Sequence, residues 1–364
     1  MTAEVEIPCM LMRGGTSKGP YFLATDLPAD REIRDRMLLA AMGSPDARQI
    51  DGLGGATTLT SKVAIVSTST LPDADIGYQF AQVSIDQAIV DTTPTCGNML
   101  AGVGPFAIER GLVAAADGET TVHIHDVNTG ARIVAVIQTP GGKPGYEGAT
   151  EIDGVPGAAA PVRLRFQNIQ GAKTGKTLPT GRPVDSIDGV EVTCIDVAMP
   201  MVIMRAADLG KTGYESKAEL DADGALLRRL EAIRLEAACR MGMGDVSGSV
   251  IPKLGLVAPP ARGGSITSRY FVPHQCHAAH AVSGGICVAT CALMRGTVAD
   301  GIGEVRRSGV ELLRIEHPSG RLEIELGVQG YGPDLVVDYG GVIRTARKIM
   351  DGAVFLPAGL LQRQ

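Results

Sequence analysis

Apolar and polar positions alternate, or give way to runs of β-branched residues, over residues 62–66, 78–85, 121–125, 132–138, 162–166, 190–197 and 321–326. Side chains of a strand point alternately to the two faces of a sheet, so this pattern predicts strands. The Gly, Pro and Asp clusters between them predict turns. A longer segment, from about residue 217 to 241, carries Leu226, Leu230, Ile233 and Ala237 at helical spacing and Arg228, Arg229, Glu231 and Arg234 on its polar side. It reads as one amphipathic helix packed on a sheet.

Residues 99–108 and 286–294 are apolar on nearly every side, the pattern of helices buried all round. Each follows a small polar opening, Cys96-Gly97-Asn98 in one and Ser283-Gly284-Gly285 in the other. Each is followed by a similar tail, Arg110-Gly111-Leu112-Val113-Ala114 and Arg295-Gly296-Thr297-Val298-Ala299. The match suggests an internal duplication, a sheet wrapped round one central helix and made twice. At 364 residues the chain exceeds what one core usually serves. The expected division is 1–185, with its central helix from Cys96, and 186–364, with its central helix from Ser283. The last strand is free to cross back to the first domain.

Composition narrows the function classes. Hydrophobic residues make up 45% and charged residues 20%, as in a globular protein. A net charge of -6 without any long Lys/Arg run argues against nucleic acid. No run of about 18 apolar residues occurs, and the acidic start lacks the basic-then-apolar order of a signal peptide, so neither membrane span nor export is expected. Seven cysteines, an odd number without close pairing, point to free thiols and the cytoplasm. With no Trp, 4% aromatic residues and 47 Gly, the core must be built from Val, Ile, Leu, Ala and Met.

Helix openings matter chemically because first-turn amides lack intrahelical partners and attract carboxylates. The same field makes Cys96 the cysteine best placed to ionise or donate a proton. Cys287 and Cys291 fall inside the second helix and read as core; Cys9, Cys194 and Cys239 also have apolar neighbours and no assigned role. Lys62 enters the apolar strand Lys62-Val63-Ala64-Ile65-Val66 after the Gly-rich Asp51-Gly52-Leu53-Gly54-Gly55. A solvated lysine at a strand start fits this spacing; a partly desolvated one would act as general base.

Met12-Arg13-Gly14-Gly15-Thr16-Ser17-Lys18-Gly19 looks like a phosphate loop in the wrong order, since it leads into a strand. What remains is a glycine-rich turn in which Arg13, Thr16, Ser17 and backbone amides suit a small anion. His274, Cys276, His277 and His280 are the one metal-like cluster, but their crowding matches no usual zinc spacing, so no metal is expected. The same stretch offers an imidazole for a carboxylate.

Over nearly its whole length the chain resembles the PrpF-like isomerases, whose fold is similar to diaminopimelate epimerase. The resemblance rests on residues 12–19, 51–55, 59–62, 96–98, 194–200, 209–215, 244–247, 269–277 and 317–320. Within the family it looks closest to 4-oxalomesaconate tautomerases and isomerases, through Pro8-Cys9-Met10-Leu11-Met12-Arg13-Gly14-Gly15-Thr16-Ser17-Lys18-Gly19, Asp245-Val246-Ser247 and Pro273-His274-Gln275-Cys276-His277.

The resemblance implies an α+β fold of two pseudo-symmetric domains, each a β-barrel-like sheet round a central helix, with the ligand between them. It implies Lys62 and Cys96 as catalytic residues. Substrate carboxylates would be taken by Arg13, Thr16, Ser17, Gly97, Asn98, Arg269, His277, Ser283, Gly284 and Gly285. Epimerases of this fold open both central helices with cysteine. Here the second position is Ser283, too weak an acid to carry a proton, which disfavours stereoinversion. The implied activity is a cofactor-independent double-bond or keto-enol shift in a small polycarboxylate. Its substrate would be 4-oxalomesaconate from bacterial protocatechuate or gallate breakdown. The alternatives are 2-methylaconitate isomerase and, from another class, a non-catalytic carboxylate- or zinc-binding protein. No nucleic-acid or membrane partner is expected, and a homodimer is compatible with the sequence.

Overall fold

Eight strands arise in the first half of the chain: β1 (Glu4–Gly14), β2 (Ser17–Leu23), β3 (Lys62–Thr68), β4 (Ile76–Val83), β5 (Val90–Asp91), β6 (Gly118–Asp126), β7 (Arg132–Thr139) and β8 (Pro161–Gln167). Helices α1 (Arg31–Met42) and α2 (Gly97–Glu109) interrupt them. The second half holds β9 (Asp185–Ile187), β10 (Val190–Asp196), β11 (Pro200–Arg205), β12 (Lys253–Ala258), β13 (Ile266–Phe271), β14 (Val310–His317), β15 (Gly320–Gln329) and β16 (Val336–Pro357). Its helices are α3 (Lys217–Ala222), α4 (Gly224–Arg240) and α5 (Val282–Leu293). This computed structural model describes residues 4–303, 309–330, 332 and 334–361.

One unit comprises the chain to Leu164 together with the stretch from Ile343 onward, and the other is Arg165–Val342. In the first, the order β1-β2-β3-β4-β6-β7-β8-β16 closes into a barrel, because the far half of β16 pairs with β1 from Pro357 opposite Glu4 to Ala346 opposite Gly14. In the second, β9 to β15 and the near half of β16 form one sheet in sequence order. The division lies ahead of the expected 185/186. Residues 168–184 are tied into the second unit, where the Asp196 carboxylate accepts from the amides of Lys173 and Thr174 at 2.8 and 2.7 Å.

The duplication is visible in the topology. Hairpin β1/β2, helix α1, hairpin β3/β4, helix α2 and hairpin β6/β7 are matched by β10/β11, α3 with α4, β12/β13, α5 and β14/β15. The parallel joints also match: β2 with β3 and β4 with β6, against β11 with β12 and β13 with β14. Each unit is a sheet round a central helix, the diaminopimelate-epimerase-like α+β fold.

Every residue from Met99 to Ile108 in α2 is buried, as its all-round apolar pattern predicts. Gly102, Gly104 and Pro105 make this a poor helix by intrinsic propensity, so packing within the barrel is what holds it. The predicted single helix over 217–241 is two. Asp223 ends α3 and caps α4 by accepting from the Leu226 amide at 2.9 Å. The apolar face of α4 is buried as expected, but Arg234, assigned to its polar side, is 0% exposed. It is paired with Glu231 and donates to the carbonyls of Ile251 and Val246. Helix α1 has no counterpart in the hydrophobic pattern, although Asp30 caps its start and Gly43, at φ 74°, ends it.

Candidate active site

Gly15 turns the β1/β2 hairpin at φ 52°, and a side chain there would collide with that of Asn98, so the turn lies directly on the opening of α2. Asn98 Nδ2 donates to Thr16 Oγ1 at 2.9 Å. Arg13 braces the turn from outside, donating through Nη1 to Gly15 O, Thr345 O and Thr345 Oγ1 at 2.9–3.0 Å. That nitrogen is therefore committed to the protein. Ser17 is 1% exposed, and its Oγ has no hydrogen-bond partner among the described residues.

Cys96 stands at the N-cap of α2 with its side chain uninvolved in capping, and its carbonyl receives the Leu100 amide at 2.9 Å. The amides of residues 97–99 therefore face outward without intrahelical acceptors. Two tyrosines hold this turn: Tyr78 Oη donates to Cys96 O at 3.1 Å and Tyr21 Oη to Met99 O at 2.6 Å. Burial, followed by the nearby Cys96 thiol, pushes both phenols well above their ordinary range, so they stay neutral donors.

Lys62 is half-buried at the first position of β3. Its Nζ donates to Gln82 Oε1 at 2.9 Å and lies 4.9 Å from the centre of the Phe80 ring. A Cβ at Gly19 would strike the Lys62 carbonyl on one side and come within 3.2 Å of Met99 Cε on the other. This close approach sets Lys62 beside the first turn of α2. Thr16, Ser17, Lys62, Cys96, Gly97 and Asn98 thus gather at one end of the first barrel.

In the second unit, Ser283 Oγ donates to Met199 Sδ at 3.1 Å. Helix α5 begins at Val282, and the Gly285 amide already bonds Ala281 O at 2.8 Å, so the outward amides are those of residues 282–284, not Gly285. Gly284 packs beneath Tyr270 and His280. His277 stands edge-on to Tyr270 at 5.9 Å, with its Nδ1 accepting from the Ala279 amide at 2.9 Å. His280 is buried, contacting Ser268 Oγ at 3.1 Å and Ala281 O at 3.0 Å, and burial pushes its pKa down to about 3.

Arg269 is not part of this group. It follows Ser268 and precedes Tyr270 on β13, so it points to the opposite face, where Nε donates to Glu215 O at 2.6 Å. There it lines a cavity of about 350 Å³ with Glu215, Arg262 and Glu316. The His274 to His280 stretch also disperses. His274 is exposed and 3.8 Å from Glu231, while the Cys276 thiol is buried against His277 O. Among the described residues no three His, Cys, Asp or Glu side chains cluster to hold a metal. Cys287 and Cys291 are buried in α5 as expected, whereas Cys239 is exposed on α4.

Tyr21, Tyr78 and Gln82 escaped the sequence reading. The signal for the latter two lay in the alternation of 78–85, which places Tyr78, Phe80 and Gln82 on one face of β4. A polar residue ending an apolar, helix-facing row is the mark of a group kept for hydrogen bonding.

The model of the PrpF protein family matches residues 4–357. The chain is 54% identical over 352 residues to the putative isomerase YbhH of Escherichia coli strain K12, covering 97% of this chain and 99% of the relative. It is 52% identical over 351 residues to the 4-oxalomesaconate tautomerase of Pseudomonas putida, covering 96% of each. Among solved structures, methylitaconate-delta-isomerase superposes with a TM-score of 0.90 at 37% identity, over 99% of this chain and 98% of that one. A match spanning both duplicated units makes this chain a member of the PrpF protein family.

Proposed function

We propose that this chain shifts a double bond by proton transfer within an unsaturated tricarboxylic keto acid, 4-oxalomesaconate, with Lys62 as the base. That it is an isomerase follows from its relatives, which include a 4-oxalomesaconate tautomerase, a (4E)-oxalomesaconate Delta-isomerase and a 2-methyl-aconitate isomerase, each covering at least 96% of this chain. The observation that carries the reading is Lys62, its Nζ held by Gln82 in the strand beside the first turn of α2, with a buried Ser17 Oγ that has no partner among the described residues at the same end of the barrel.

The substrate's carbonyl and carboxylates acidify one C–H. Lys62 takes that proton, and the electrons of the broken bond pass into a dienolate. Outward amides of the α2 opening offset the charge on its oxygens, each good donor being worth about 3 kcal/mol. The proton then returns from Lys62 to the carbon at the far end of the allylic system, leaving the double bond displaced. Cys96, at the head of the helix, polarises the intermediate. Ser17 and Asn98 take a carboxylate at the opening of α2; the opening of α5, with Ser283, its outward amides and His277, is by itself a second carboxylate site. We assign the reaction to bacterial breakdown of protocatechuate or gallate and to the cytoplasm, in keeping with seven free cysteines.

Proton NMR of 4-oxalomesaconate, with 2-methylaconitate in parallel, after exhaustive chelation of the protein tests this reading. Conversion of the first at undiminished rate is expected. Turnover of 2-methylaconitate alone would overturn the substrate assignment. Activity lost on chelation and restored by zinc would overturn the amine-led mechanism.

A further inference from the structure

The duplication pairs Lys62 with a second lysine. Lys62 is the first residue of β3, and Lys253 is the first residue of β12. Two residues on, Ala64 stands opposite Phe80 in β4, and Gly255 stands opposite Tyr270 in β13. Val63 and Ile65 join the core beneath α1, as Leu254 and Leu256 join the core beneath α4. Both lysines therefore lie on the face of their strand turned toward the central helix. A Cβ at Gly255 would lie 4.0 Å from Val288 of α5.

Their surroundings differ. Lys62 is half-buried and bonded to Gln82, whereas Lys253 is only 8% exposed and makes no hydrogen bond or ion pair among the described residues. Burial, then the nearby Arg234, hold its pKa below the usual lysine range. A cation on a largely buried stem that has no counter-ion gains when an anion arrives from outside. The location fits that. Lys253 pairs with Met201, two residues beyond Met199, whose sulfur receives the Ser283 hydroxyl at 3.1 Å. It thus stands at the end of the second unit where α5 opens.

We propose that Lys253 binds a carboxylate together with the opening turn of α5, as the second unit's counterpart of Lys62. The assignment rests on the polycarboxylate reading above.

Calorimetric titration with tricarballylate, a saturated tricarboxylate that cannot react, separates the two claims. The wild-type protein should bind it. Lys253→Met should weaken binding about 10- to 100-fold, the loss typical of one charge-assisted contact. Its melting temperature without ligand should stay about equal, because the ammonium has no protein partner to lose. Lys253→Arg should remain within a few fold of wild type. If the wild type binds and Lys253→Met binds equally well, the role of Lys253 is refuted and the proposed function stands. If the wild type binds no tricarboxylate, the polycarboxylate reading fails and this inference with it. Lower melting temperature in Lys253→Met with unchanged affinity would make the residue purely structural.

Discussion

Lys62 Nζ donates to Gln82 Oε1 at 2.9 Å across β3 and β4, where the two residues stand directly opposite each other. Gln82 has no freedom to turn away, because its Nε2 donates to Ser61 O at 2.8 Å and Thr58 O at 3.3 Å. Its carbonyl must face the lysine, and the amine is held where one lone pair can be aimed. Gln82→Leu should lower kcat about tenfold with KM changed less than twofold, as loss of a group that aims the base requires. Steady-state kinetics decide it; a KM effect alone would make Gln82 a binding residue.

Lys62→Ala should reduce turnover by about 10² to 10⁴, the usual contribution of general-base catalysis. Cys96→Ser should retain more activity, since the hydroxyl keeps a donor at the helix opening. Exchange of the substrate C–H in deuterium oxide is the direct readout. Wild-type exchange in Lys62→Ala, with none in Cys96→Ser, would transfer the base to Cys96.

Ser17→Ala removes a buried hydroxyl that the described residues leave without a partner. Leaving such a group unsatisfied costs stability, so the variant should melt at the same temperature or slightly higher. Its KM should nevertheless rise about tenfold if a substrate carboxylate is the missing partner. A fall in melting temperature at constant KM would assign Ser17 to packing.

Ser283→Ala should raise KM with kcat nearly unchanged, because the hydroxyl is asked to hold a carboxylate and not to carry a proton. Its one side-chain hydrogen bond among the described residues is to Met199 Sδ, a weak acceptor, so stability should move little. A large fall in kcat at constant KM would make Ser283 a participant in the chemistry.

His280 contributes a pH-dependent cost. Its folded pKa, about 3, lies below its ordinary 6.5, so between these values the unfolded chain holds the extra proton and stability falls as pH falls. At pH 5 the cost is about 2 kcal/mol, and it is fully developed only near pH 3. Denaturant unfolding of His280→Gln against wild type at pH 7.5 and 5 should show the gap between them narrowing by about that amount. A gap independent of pH would mean the imidazole is not neutral and buried as found.

Some of this protein is decided by residues close together in the chain. The central helices are legible because 99–108 and 286–294 are apolar on every side, and only burial satisfies that. Lys62, Cys96 and the glycine-rich turn stand out because each is a polar group adjoining an apolar element, and the strands of 62–66 and 132–138 follow from period-two spacing. The caps at Asp30 and Asp223 were equally local signals, although the hydrophobic pattern alone passes over α1 and merges α3 with α4.

Other features depend on which surfaces meet, and no spacing along the chain encodes that. Arg234 looks solvated on a helical wheel, yet it is buried because the carbonyls of Val246 and Ile251 arrive from a loop to satisfy it. Arg13 looks like an anion ligand, but Thr345, 332 positions away, claims its Nη1 through the closing strand of the barrel. Arg269 and Tyr270 are neighbours on β13, and the alternation of the strand sends one to the opening of α5 and the other to a separate cavity. The equivalence of Lys62 and Lys253 is of the same kind: it resides in the register of two strand pairs, which form only when each sheet packs round its helix.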